Sequence, residues 1–372
     1  MTAPRLEIDL DKIHHNALTL VARLGRRGIS VTGVTKAALG SPEIACVWLQ
    51  AGVRGLGDSR IENIGAMRRA QVSASMTLIR TPMLSQADEV VALADVSINS
   101  ELDVISALST AAQKANRTHG IVLMVELGDL REGIMPADLE KTVRAALRFP
   151  NIVFEGIGTN LACRSGVSPD HRNMGEISGL ADSLDSTFGK IVSMVSGGNS
   201  ANLNWALSGA ATGRINNLRL GEALLLGREP LHRQPINGLH TDAITLIAEV
   251  IESKDKPTKP RGEIAQSAFG EVTPGDDLGS IMQSIFAIGR QDIDPDGLEP
   301  PSGIKILAAS SDHLVADSSK YNGHLTIGSE IAFQLNYSAL LRAMTSPFVT
   351  KNISTPATPA KPHAESARSF CA

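Results

Sequence analysis

The sequence predicts an α/β protein: a (β/α)8 barrel of the TIM type, followed by a smaller, mostly β C-terminal domain. Three observations carry this. About eight short β-runs alternate with helical patterns over roughly the first 220 residues. The alternation stops near residue 228 and period-two runs replace it. The residues able to do chemistry fall just past the ends of the β-runs, where barrel enzymes place them. The predicted boundaries are 10–230 for the barrel, 236–350 for the β domain together with an N-terminal strand 5–10, and 351–372 for a disordered Pro/Ala/Ser-rich tail holding His363 and Cys371.

The chain of 372 residues is 42% hydrophobic and 20% charged, which fits a globular protein of two domains. A net charge of −4 gives no nucleic-acid footprint. No apolar run reaches the ~18 residues of a membrane span, and MTAPRLEIDLDK lacks the apolar core of a signal peptide. A cytoplasmic location is expected. Cys46, Cys163 and Cys371 are too far apart for metal-type pairing, and no metal is expected.

Taken in order, Leu6 to Leu10 alternates as a strand, and a helix follows with Leu18, Val21 and Leu24 on one face. His14 and His15 lie on that helix and are read as surface residues. ISVTGVTKAALG, residues 29–40, starts as a strand buried on both faces and breaks at Gly40. Ser41 then caps a helix with Pro42 at its first position. Further strands are expected at 54–58, 75–81, 95–99, 119–127, 153–161, 191–198 and 216–220, with helices at 41–51, 60–71, 85–93, 101–115, 137–148, 170–186 and 200–209. REPLHRQPINGLH reads as a linker. TDAITLIAEVIES, GSIMQSIFAIG, GIKILAASSDHLVAD and SEIAFQL supply the strands of the second domain.

Lys36 sits at the carboxyl end of the first barrel strand. A lysine among apolar neighbours there is a usable nucleophile or Schiff-base partner; the alternative is a lysine snorkelling at a strand end. SGGNS, residues 196–200, places two glycines and Ser200 before a helix, and Gly221 follows the eighth strand. Both suit an anion, and the last two loops of this barrel often hold phosphate. A phosphate cradle opposite a lysine points to pyridoxal 5'-phosphate. Arg219 points inward if Leu218 and Leu220 pack outward; it then needs an acceptor, either a ligand or an internal partner such as Glu62 or Glu222.

The stretches VTKA, GDSRIENI, ELGDLREGI, GTNLACRSGV, SGGNSANL, NLRLGEALLLG, TDAITLIAEVIE, AIGRQDID and ASSDHLVAD run from about residue 5 to 350. Together they resemble the fold-type III pyridoxal-phosphate enzymes, the alanine racemase superfamily, and within it the alanine/ornithine racemase-like branch. The resemblance implies that Lys36 is the Schiff-base lysine and a catalytic base. It implies that Arg219 bonds the pyridine nitrogen, and that Ser200, Gly221 and the backbone at Glu222 hold the phosphate. Asn160 takes the place of a histidine beside the ring. Arg131 lies near the substrate carboxylate, with Ser311 as a further substrate contact. It also implies a homodimer in which the β domain closes the partner's site.

One departure matters. Alanine racemases supply a second base, a tyrosine, from the partner subunit; Arg290 stands at that place here, and an arginine is a poor proton acceptor. His313 and Asp312 are the expected catalytic replacements; the alternative for His313 is a satisfied histidine at a strand end. The expected activity is racemisation of a free amino acid by α-proton abstraction, with ornithine or another basic amino acid as substrate. Asp292, in the acidic loop RQDIDPDGLEP, is the residue expected to meet a side-chain ammonium. Other readings are a broad-specificity or alanine racemase, and a non-catalytic pyridoxal-phosphate carrier. The extra β domain argues against the carrier. A metal-assisted lyase would need a paired ligand set beside His313, and none is evident.

Overall fold

The structure, a computed structural model, describes residues 2–270 and 279–354. Among the described residues two compact units emerge, Leu10–Thr241 and a second made of residues 2–9 with 242–270 and 279–354.

In the first unit, β2 (Ser30–Val34), β3 (Gly55–Asp58), β4 (Met76–Leu78), β5 (Val96–Asn99), β6 (His119–Val125), β7 (Ile152–Thr159), β8 (Met194–Ser196) and β9 (Asn217–Leu220) form a closed parallel barrel in sequence order, with β9 returning to β2. The helices are α1 (Leu10–Gly25), α2 (Pro42–Gln50), α3 (Ile61–Arg69), α4 (Ala87–Leu93), α5 (Leu102–Lys114), α6 (Leu139–Ala146), α7 (His171–Phe188), α8 (Leu203–Leu207) and α9 (Glu222–Leu226). Each barrel strand lies where the sequence predicts it. β3, β6 and β9 are buried at every position; in β6 this leaves a continuous apolar run from Ile121 to Val125, whereas β3 and β9 also bury Asp58, Asn217 and Arg219. Gly33 is glycine because Trp48 of α2 lies against the outer face of β2; a Cβ at 33 would stand 2.7 Å from its ring. Inside, Ile98, Val122 and Met124 form the apolar floor, flanked by Ile79, Val96 and Met194. Above them Thr32, Thr77, Ser196, Asn217 and Arg219 line a small pocket of about 20 Å³, room for one water.

The segment from 228 to 240 is no loose linker. The carboxylate of buried Glu229 accepts the N–H groups of Leu231, His232 and Gln234. Asn16 exchanges hydrogen bonds with His240, accepting at 2.7 Å and donating at 2.9 Å. His15, exposed as expected, bonds the Gly238 carbonyl at 2.8 Å. Polar side chains on α1 capture a sequence that has only turn signals of its own.

In the second unit, β1 (Arg5–Asp9) pairs with β10 (Ile244–Pro257), and the sheet continues through β11 (Ser280–Phe286), β12 (Leu298–Glu299), β13 (Lys305–Ala309), β14 (Leu314–Asp317) and β15 (Glu330–Leu335). Burial along β10 alternates over Ile244–Val250, the period-two signal visible in the sequence. One helix, α10 (Tyr337–Thr345), was not expected; Asn336 caps it by accepting the Ala339 N–H at 2.9 Å. A second correction concerns the tail. Thr350–Ser354 is strand β16, parallel to β1, so the irregular tail does not begin at 351. Its residues lack apolar alternation, and the β1 edge supplies the pairing that composition does not foretell. The remainder of the expected tail, with His363 and Cys371, lies outside the described residues. Among the described residues no helix is long and apolar enough to cross a membrane.

His119 opens β6 and is buried beneath the helices, with its Nε2 2.8 Å from Ser97 Oγ. Burial pushes its pKa down to about 4. The unfolded chain therefore binds this proton first as pH falls through ~6.5, and the folded state loses stability from there to about pH 4. The full loss is on the order of 3 kcal/mol. Urea melts at pH 7 and pH 4.5 should show a steeper loss for wild type than for His119→Gln; equal losses would assign acid lability elsewhere.

Candidate active site

Lys36 opens a single 3₁₀ turn, Lys36–Ala38, directly after β2. Its backbone is tied down from the neighbouring strand. Thr35 N–H donates to the Gly57 carbonyl at 2.8 Å, and Thr35 Oγ1 donates to Asp58 Oδ2 at 2.7 Å. Asp58 is fully buried and also accepts Arg60 N–H at 2.9 Å and Asn63 Nδ2 at 3.1 Å. Burial pushes its carboxyl pKa up, against these donors. The turn closes at Gly40, φ +66°, where a Cβ would stand 2.8 Å from the Asn63 carbonyl. GDSRIEN thus anchors the lysine turn.

Arg219 lies on β9 and faces the interior, buried. Its two terminal nitrogens donate to Ser196 Oγ at 2.6 Å and to the Thr159 carbonyl at 2.7 Å. Ser196 Oγ donates onward to Asn217 Oδ1 at 2.7 Å, and Asn217 Nδ2 donates to Thr32 Oγ1 at 3.0 Å. These acceptors are neutral, so an ion pair with Glu62 or Glu222 does not form. Burial pushes the Arg219 pKa down to about 10, with Cys163 and Glu132 opposing and Arg131 assisting, and it stays cationic at neutral pH. Glu222 instead contacts Arg233 at 3.4 Å. Burial raises its carboxyl pKa, and the charges of Arg233 and Lys36 lower it.

The loops after β8 and β9 meet. At Gly198, φ +143°, a Cβ would stand 2.1 Å from Asn202 Oδ1, and at Gly221 a Cβ would stand 2.9 Å from the Val34 carbonyl. Asn199 caps the turn Ser200–Asn202, accepting Ala201 N–H at 2.7 Å. Buried Ser200 Oγ accepts Ala223 N–H at 3.3 Å, joining the two loops. Asn199 Nδ2 also donates to Asn160 Oδ1 at 3.1 Å, which leaves Asn160 Nδ2 buried with no protein partner. Such an orphan donor beside a glycine-lined loop fits a ligand that accepts hydrogen bonds.

Arg131 and Glu132 lie on the loop after β6, their charged groups 3.7 Å apart. Lys36, Asn160, Ser200, Arg219, Gly221, Glu222 and Arg131 are therefore all at the carboxyl end of the barrel strands. Sequence reasoning assigned no role to Asp58, Thr159, Ser196, Asn199 and Asn217, which hold them, although each lies inside one of the quoted stretches GDSRIENI, GTNLACRSGV, SGGNSANL and NLRLGEALLLG.

The remaining predicted residues belong to the second unit. Arg290 N–H donates to the Ser310 carbonyl at 2.8 Å and Gln291 N–H to the Ser311 carbonyl at 3.1 Å, which laces AIGRQ to SSDH. Ser311 Oγ donates to Asp312 Oδ2 at 2.8 Å, and Gln291 Nε2 donates to its other oxygen. His313 is exposed, with Nδ1 3.4 Å from Ser310 Oγ. Arg290, Ser311, Asp312 and His313 thus form one polar cluster. Asp292 is a correction. It is buried, and Ser346 Oγ donates to it at 2.6 Å. Asp294 likewise accepts from Ser338 Oγ. Hydroxyls near both ends of α10 hold Asp292 and Asp294, while Asp296 and Glu299 stay exposed, and the Asp292 charge already acts on the Lys351 ammonium of its own unit.

The family described as "Alanine racemase, N-terminal domain" matches residues 8–229. The chain belongs to this family. It is 37% identical to an ornithine racemase of Acetoanaerobium sticklandii, over 94% of this chain and 99% of that protein. It is 39% identical to a lysine racemase of Thermotoga maritima, over 94% of this chain and 98% of that one. Among solved structures, an alanine racemase from Streptomyces lavendulae shares the fold at TM-score 0.72 and 19% identity, covering 95% of this chain and 98% of its own. A D-threonine aldolase from Filomicrobium marinum does so at TM-score 0.72 and 16% identity, covering 92% and 88%.

Proposed function

We propose that this alanine racemase family member is an isomerase that racemises a free basic amino acid, ornithine or lysine, with pyridoxal 5'-phosphate as cofactor. The observation that carries the reading is the convergence at one barrel mouth of Lys36, a glycine-lined cradle and a buried cationic Arg219, in a chain similar over nearly its whole length to racemases of ornithine and lysine. The same full-length similarity favours an enzyme over a carrier. The residues fit the cofactor. Lys36 would hold its aldehyde, and Ser200, Gly221 and the backbone at Glu222 its phosphate. Arg219 would meet the ring nitrogen, and Asn160, with its orphan Nδ2, would lie beside the ring. When bound, the cofactor supplies an electron sink that acidifies the substrate's α-proton.

This chain's own groups do the rest. Lys36 Nζ takes the α-proton on one face. Arg219, cationic and tied to neutral acceptors, donates without giving up its proton. Arg131 meets the substrate carboxylate, since a guanidinium pairs well with that group. A proton on the opposite face needs a second group, and His313 or Asp312 of a partner subunit fills that role, with Ser311 beside them. The working unit is then a cytoplasmic homodimer.

The test is enantiomer interconversion of ornithine, lysine, alanine and serine, followed by chiral chromatography. Ornithine or lysine should exceed alanine in kcat/KM by about ten- to a hundredfold, the worth of one charge-assisted hydrogen bond. An alanine value equal to theirs would defeat the substrate assignment.

A further inference from the structure

The loop after β6 is pinned at both ends. Glu126 N–H donates to the Ile134 carbonyl at 2.9 Å and Ile134 N–H to the Met124 carbonyl at 2.8 Å. Gly133 makes the return possible, because a Cβ there would stand 2.6 Å from Glu126 N. The loop carries three carboxylates besides Arg131. Glu126 accepts the N–H groups of Gly128, Leu130 and Arg131. Buried Asp129 accepts those of Arg164 and Ser165. In each, both oxygens accept backbone N–H groups that hold the loop.

Glu132 is different. One oxygen accepts Thr81 N–H at 3.2 Å; the other stands 3.7 Å from Arg131, beyond hydrogen-bond distance. A carboxylate offers about four acceptor positions, so Glu132 is anchored yet has capacity left. Its side chain is 22% exposed, enough to be reached and partly shielded from water. Thr81 follows β4 and Glu132 follows β6, so this contact joins two loops at the carboxyl end of the barrel strands, on the same side as Lys36. An arginine alone at this point would repel a substrate's side-chain ammonium. An arginine next to a half-satisfied carboxylate offers opposite charges to the substrate's carboxylate and to a second, side-chain ammonium.

We propose that Glu132 is the specificity-determining residue that receives the side-chain ammonium of a basic amino acid, beside Arg131 for the carboxylate. This takes the place assigned from the sequence to Asp292, and it rests on the basic-substrate reading above. Norvaline, the neutral counterpart of ornithine, separates the two claims. The measured quantity is the ratio of kcat/KM for ornithine to that for norvaline, in wild type, Glu132→Gln and Glu132→Leu, together with calorimetric affinities for both amino acids. Glutamine keeps an acceptor for Thr81 N–H, and a ratio taken within one protein cancels any loss of folded fraction. The expected ratio in wild type is well above one and falls about ten- to a hundredfold in both variants, with the affinity ratio falling in parallel. A wild-type preference that persists in both variants overturns the role of Glu132. A wild type without preference overturns the basic-substrate reading itself, and this inference with it.

Discussion

Replacing Lys36 by alanine should leave the purified protein colourless and lower racemisation by at least about 10²–10⁴-fold, the usual worth of a positioned general base. Two functions are lost together, retention of the cofactor and removal of the α-proton. The fold should survive, because the turn is held by its neighbours: Thr35 N–H and hydroxyl on β3, and Gly40 against Asn63. Borohydride reduction of the wild type followed by peptide mapping should place the pyridoxyl group on Lys36. A modified lysine elsewhere, or a yellow Lys36→Ala protein, would remove the centre of the proposed site.

Arg219→Glu has the next largest expected effect. The guanidinium donates to Ser196 Oγ and the Thr159 carbonyl, and even with its pKa pushed down to about 10 it keeps its proton at neutral pH. A glutamate would leave the Thr159 carbonyl without its donor, at a cost of about 1–3 kcal/mol in stability. It would also supply a group able to protonate the ring nitrogen and deepen the electron sink. Racemisation should fall about 10²–10³-fold, as on loss of a preorganised donor, while transamination rises relative to it. Arg219→Lys should retain more racemisation than Arg219→Glu. Unchanged partitioning between the two reactions in Arg219→Glu would make Arg219 a structural residue only.

The barrel was legible because short β-runs alternate with helical patterns in a regular beat, and because Gly40, Ser41 and Pro42 punctuate a strand-to-helix turn at Lys36. The candidate site was legible as far as the position of its residues at strand ends. What holds them was not. Asp58 reaches Thr35 from the next strand, and Ser196 on the neighbouring strand β8 accepts from Arg219 and is itself held by its register partner Asn217; such pairings are set by barrel register. Asp292 was misread for a similar reason. Its acidic loop suggests an ammonium partner in the sequence, and Ser346, more than fifty residues on, binds it instead. Glu132 passed unnoticed beside Arg131, since its spare capacity appears only once the N–H groups that occupy Glu126 and Asp129 are known.

The central claim, that this protein takes the α-proton from a free basic amino acid, is tested most directly in deuterated water. Purified protein supplied with pyridoxal 5'-phosphate is incubated with L-ornithine, and the α-proton signal is followed by proton NMR. The account predicts that the signal disappears while D-ornithine accumulates, and that Lys36→Ala shows neither change. An α-proton signal that persists for ornithine and lysine alike, with the cofactor bound at Lys36, would contradict it.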